Sequence, residues 1–66
     1  MVKIHVQFVS GRSWSAYIQG EPNDETLEIS SELVRVVGVN DEGSVVSMIA
    51  SAAQIESIQF EGLSND

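Results

Sequence analysis

The side chains able to do chemistry are few, and their spacing decides what they can be. His5 is the only histidine, and there is no cysteine. A multi-histidine or cysteine-ligated metal site within one chain is therefore excluded, and so is a disulfide. Nothing in the sequence sets an acid and a nucleophile beside His5, so no nucleophile–histidine–acid relay can be argued. His5 reads as a surface residue of a strand. Asp24, Glu25 and Glu28 form the densest acidic stretch. A calcium loop needs alternating oxygen ligands and a glycine at its bend. That spacing is missing here, and Asp41-Glu42-Gly43 is too short. These acids read as solvated loop charge. Gly11-Arg12-Ser13 lacks the Gly-x-x-x-x-Gly-Lys framework of a phosphate loop and reads as a turn with Arg12 at its tip. Paired carboxylates for glycoside hydrolysis need a cleft, which a domain this small rarely offers. The expectation is a chain that is not an enzyme and holds no cofactor or metal.

Recognition chemistry has better candidates. Trp14 and Tyr17 are the only Trp and Tyr, and both types anchor interfaces well. Ten acids stand against Lys3, Arg12 and Arg35, for a formal net charge of −7. A nucleic-acid binder needs a basic face that releases counterions, so direct contact with nucleic acid is not expected. Such charge serves solubility, or it attracts a basic protein surface. Asp24, Glu25, Asp41 and Glu42, with Trp14 and Tyr17, are the candidate partner-binding residues.

The elements that position these residues follow from periodicity. Nine Val and six Ile against three Leu favour pleated sheet over helix. Alternation predicts strands over 2–9 and 13–19, joined by the turn Ser10-Gly11-Arg12-Ser13. Trp14, Ala16 and Ile18 share one face of the second strand, and Tyr17 lies on the other. Gly20 to Glu25 reads as a loop around the only proline. Residues 26–39 fit strands at 26–30 and 33–39 with a kink at Ser31-Glu32. They also fit a helix over 24–37, with Ile29, Leu33, Val36 and Val37 on one face. Strands are favoured, because Val34 to Val39 is a run of poor helix formers. Asn40 to Gly43 predicts a turn into a strand over 44–49. Ser51 to Gln54 predicts a short helical turn, with Ser51 and Gln54 resembling a capping box. A last strand over 55–60 has Ile58 and Phe60 inward, and Phe8, Ile18, Ile58 and Phe60 are the expected core.

The cadence from Leu33 to Glu61 resembles the end of an SH3-like or Sm-like small barrel: strand, acidic turn, strand, Ser/Ala turn, strand. The resemblance implies a bent sheet closed by one helical turn, and a tendency to pair strand edges into rings or dimers. The Sm motifs that contact RNA are absent. The first turn lacks their Asp and Asn, and Phe60 is followed by Glu61-Gly62 where that family has Arg-Gly.

The reading is therefore all-β: a five-stranded SH3-like or Sm-like barrel or strongly bent sheet, with one short helical turn near 51–54. The alternative is α+β, a ββαββ arrangement with a helix at 24–37. Residues 1–62 form one domain and 63–66 a frayed tail. Val36-Val37, Val45-Val46 and Met48-Ile49 put apolar groups on both faces of neighbouring strands. One small sheet has one core face, so the second set needs barrel closure, a helix or another subunit. There is no run of about 18 apolar residues and no basic-then-apolar start, so a cytoplasmic protein off the membrane is expected. The leading function is a binding or assembly module whose partner is a protein, either itself, as homodimer or ring, or a basic surface. One alternative is an acidic inhibitor of the kind phages and mobile elements encode, which mimics nucleic acid. A second is an oligomer that sequesters a small ligand.

Overall fold

The computed structural model describes residues 1–62; the tail expected to fray, 63–66, lies outside them. Six strands and one 3-10 turn are formed: β1 (Val2–Phe8), β2 (Ser13–Ile18), β3 (Leu27–Ile29), β4 (Leu33–Val39), β5 (Val45–Ser51), the turn Ala52–Gln54, and β6 (Ile55–Gly62). The protein is all-β, a strongly curled antiparallel sheet of five longer strands and the three-residue β3. No α-helix occurs at 24–37. Residues 24–26 turn, and β3 pairs back on β4 with Leu27 opposite Val36 and Ile29 opposite Val34. Asn23, a possible helix cap by its type, makes an Asx turn instead. Its Oδ1 accepts from the Glu25 amide at 2.8 Å and the Thr26 amide at 3.2 Å.

The turns are built by the residues whose types announced them. Gly11 has φ of +96° and its amide donates to the Phe8 carbonyl at 3.0 Å. Asn40 organises the β4–β5 turn, its Oδ1 accepting from the Glu42 amide at 2.9 Å and the Ser44 amide at 3.0 Å. The Ser51 hydroxyl caps the 3-10 turn, though by accepting from Ala53 at 3.3 Å rather than through a capping box with Gln54. β5 runs two residues further than expected, because Ala50 and Ser51 still pair with Val34 and Leu33.

β4 joins the two halves of the sheet. Along its whole length it pairs with β5. Elsewhere it pairs with β3, and through Val39 with Tyr17 of β2. β2 continues to β1, and β1 to β6. The inward faces meet in one core of Ile4, Val6, Ile18, Val34, Val36 and Met48, with Phe8, Trp14, Leu27, Ile55 and Ile58 packed against it. Each fully buried aliphatic side chain contributes about 1.5–3 kcal/mol. Phe60 is a correction to the expected core. It lies opposite Ile4, on the predicted phase, yet is 48% exposed. The reason is that β6 is an edge strand, paired with β1 alone among the described residues.

Candidate functional site

Pairing in register puts residues of like parity on one face. Val34, Val36 and Met48 point inward from β4 and β5 and are buried. Leu33, Val37 and Val39 of β4 and Val45 and Ile49 of β5 therefore point outward. No element covers them fully: Leu33 is 52% exposed, Ile49 65% and Val45 75%. The second apolar set expected from Val36-Val37, Val45-Val46 and Met48-Ile49 is thus an uncovered outer face. Arg35 lies among these residues, and its Nε bonds Glu28 of β3 at 3.2 Å.

The far edge of β5 is equally bare. Among the described residues β5 pairs with β4 and with no other strand, so its second row of backbone donors and acceptors has no strand partner there. Beside the C-terminal half of that edge lies a cleft of about 350 Å³, lined by Phe8, Val9, Arg12, Ile49, Ala50 and Gln54 among others. The β1–β2 turn forms its far wall, held in place by the Val9 amide donating to the Gln54 carbonyl at 3.0 Å. Arg12 is exposed there. It is the one cation with neither an ion pair nor an aromatic ring beneath it among the described residues.

The six residues singled out from the sequence do not form one site. Trp14 points inward and packs against the core. Tyr17 lies on the opposite face of β2, with Lys3 Nζ 5.7 Å from its ring centroid. Tyr17 and Asp41 line one shallow groove with Met1 and Val39. Asp24 and Glu25 are exposed in the β2–β3 loop, and Glu42 in the β4–β5 turn. Register shows where these acids gather. Val2 pairs with both Ile18 and Gly62, and Tyr17 with Val39. The ends of β2, β4 and β6 therefore coincide, and Glu21, Asp24, Glu25, Asp41, Glu42 and Glu61 belong to that end.

No polar or charged residue is buried, and no group of three or more potential metal ligands comes together among the described residues. His5 is half-buried on the outer face of β1, opposite Ser15 and Gln59. Among the described residues no helix is long and apolar enough to cross a membrane. Sequence reasoning missed Arg12 as a wall of the cleft and β5 as the bare edge. The signal was present: Gly43 to Ile55 is the longest stretch of the chain without a charge.

Compared with known proteins, the chain matches no family model, no curated protein and no solved structure.

Proposed function

We propose that the chain is a small non-enzymatic protein-binding module that engages its partner along the outer edge of β5 and the apolar face beside it. One observation carries this reading: β5 is a seven-residue edge strand without a charge or a proline. Proteins ordinarily blunt such edges with charge, proline or a bulge. β6 carries Glu56 and Glu61, and β3 carries Glu28. β5 has none of these devices. An extended segment laid against it gains main-chain hydrogen bonds, and its alternate side chains reach Val45 and Ile49. The resemblance to small barrels that pair through strand edges supports the same reading. A cytoplasmic setting belongs to it, in keeping with the lack of cysteine.

A second reading draws on the gathered acids. Six carboxylates at one end of the sheet suit a basic groove, as in an inhibitor that stands in for nucleic-acid phosphates. Amide hydrogen exchange of the protein alone and in the complex isolated with it separates the two. The alternate amides of Val45 to Ser51 that face away from β4 should exchange readily at the open edge and become protected in the complex. Protection confined to residues 20–25 and 40–43 would overturn the edge reading in favour of the acidic end.

A further inference from the structure

Charge on this chain is sorted along β1. Its Val2 end meets the gathered acids, and its Phe8 end meets the cleft beside Gln54. The strand between spans roughly 20 Å at about 3.4 Å per residue. Exposed charges separated by more than about 8 Å are largely screened at physiological ionic strength. An anion in the cleft is therefore little repelled by the acidic end, even on a chain of net charge −7.

The grooves of the molecule differ in the charge they offer. One over β1 and β6 holds Lys3 and His5, but also Glu61. One over β3 and β4 holds Arg35 together with Glu28. The groove beside Tyr17 holds Asp41. The cleft at Phe8 holds Arg12 and, among the described residues, no acid. Glu32 and Glu56 adjoin that end of the sheet, since the Glu32 carbonyl accepts from the Ala52 amide and Glu56 follows Ile55, yet neither lines the cleft.

The other walls are mostly apolar, and their backbone is fixed. Phe8, Val9, Ile49 and Ala50 supply hydrocarbon, and Ser10 and Gln54 supply polar edges. Opposite Phe8 the β1–β6 ladder has a bulge: Gln7 pairs with Ser57 and Phe8 with Ile55, leaving Glu56 as the extra residue. Bulges recur beside functional sites, where they re-aim a side chain. The Phe8 amide donates to the Arg12 carbonyl at 2.9 Å, and the Gly11 amide returns to the Phe8 carbonyl at 3.0 Å. With the Val9–Gln54 bond, these ties hold the walls in place before anything binds, which lowers the ordering cost of binding. The Val9–Gln54 bond also bounds the cleft on one side, so a compact molecule suits it better than a chain that runs on. Its volume of about 350 Å³ is at the small end for ligand sites. That is room for roughly ten water-sized groups at about 30 Å³ each.

We infer that this cleft is a binding site for a small monocarboxylate, with the carboxylate at the Arg12 guanidinium and the hydrocarbon body against Phe8, Val9, Ile49 and Ala50. The inference goes beyond the docking edge, because a molecule in the cleft needs no strand on β5.

Octanoate has the right size and charge, and octanamide is its uncharged isostere. Both are titrated into nitrogen-15-labelled protein and followed by amide correlation spectra. Octanoate should give saturable shifts at Phe8 to Arg12, Ile49, Ala50 and Gln54, with a Kd on the order of 1 mM, ordinary for a ligand so small. Octanamide should bind about fivefold more weakly, the scale of one exposed charge contact. Arg12→Gln should weaken octanoate by the same factor and leave octanamide unchanged, whereas Arg12→Lys should keep most of the octanoate affinity. Ile49→Asp, at an exposed position that tolerates a charge, should abolish octanoate binding. The inference is overturned if octanoate gives no saturable shifts, if octanamide binds equally well, or if Arg12→Gln binds octanoate like the wild type. Shifts centred on Val37 and Val45 would overturn it too, as adventitious contact with the outer apolar face. So would a peptide with a free C-terminus that binds through Arg12 where octanoate does not, which would reassign the cleft to a peptide terminus. None of these results depends on protection of β5 in a protein complex, so the two readings fail separately.

Discussion

Gly38 shows how one residue can hold the two halves of this sheet together. A Cβ built at Gly38 would lie 2.6 Å from the Tyr17 carbonyl oxygen and 3.0 Å from the Ala16 Cβ. The first neighbour is backbone, so a strand must move to admit it. That contact sits where β2 and β4 join, through the single pair Tyr17 and Val39. Gly38 is needed for close approach and not for an unusual backbone angle, since its φ is not positive. Gly38→Ala should cost about 1–3 kcal/mol, the usual scale of forced overpacking. Gly62→Ala, with open space around it, should stay within about 0.5 kcal/mol. Urea unfolding of both variants checks the contrast. Equal stabilities would mean that the β2–β4 junction yields freely. No local signal marks Gly38, because the demand for glycine there comes from Ala16 and Tyr17 of another strand.

Among the elements, β1 and β6 form an unequal pair. β1 is central, between β2 and β6, and its Ile4 and Val6 have no exposed surface. β6 is an edge, and its aromatic residue stands half in solvent. Size and cost of truncation should therefore part company. Ile4→Ala should cost about 2–5 kcal/mol, as for a buried aliphatic residue. Phe60→Ala removes a larger side chain and should cost only about 1–2 kcal/mol, well below the range for a buried Phe. Thermal unfolding followed by circular dichroism measures both. A costlier loss at Phe60 would mean that β6 is covered in solution. The β4–β5 hairpin differs again. Its turn is well tied by Asn40, its inner face is in the core, and its outer face and far edge are bare. Strong local order beside unmet pairing capacity suits an element that docks without unfolding.

For the molecule as a whole, charge and shape have to be weighed together. The three cations are dispersed: Lys3 on the outer face of β1, Arg12 in the β1–β2 turn, and Arg35 bonded to Glu28. Nucleic-acid binding strength grows with the number of phosphates that cations neutralise. Among the described residues no basic face exists to do this, and six acids share one end. We expect no retardation of single- or double-stranded DNA or RNA in a mobility-shift assay at low salt, where such binding is strongest. A complex that weakens steeply with added salt would overturn this and would require a basic surface made by assembly.

Several features were settled by short stretches of sequence. Alternation fixed the inward phase of β1 and β2, and Leu33–Val39 forms over the residues where it was expected. Gly11 and the Asn40–Gly43 turn were legible because their chemistry acts within four residues. The absence of cysteine and the single histidine limited the metal chemistry from composition alone. Tertiary structure decided the rest. Residues 24–37 fit a helical stripe as well as strands on paper, with strands favoured by the poor helix formers Val34 to Val39, and the pairing of Leu27 with Val36 is what settles it. Two-faced apolar strands do not say which face will be covered. That depended on β1 and β2 closing over Val34, Val36 and Met48 while nothing closed over Leu33, Val45 and Ile49. Arg12 gained its place in a cleft only because the chain returned through Gln54 to meet the first turn. Periodicity is a property of neighbours along the chain, whereas burial, edges and clefts are set by residues that meet across it.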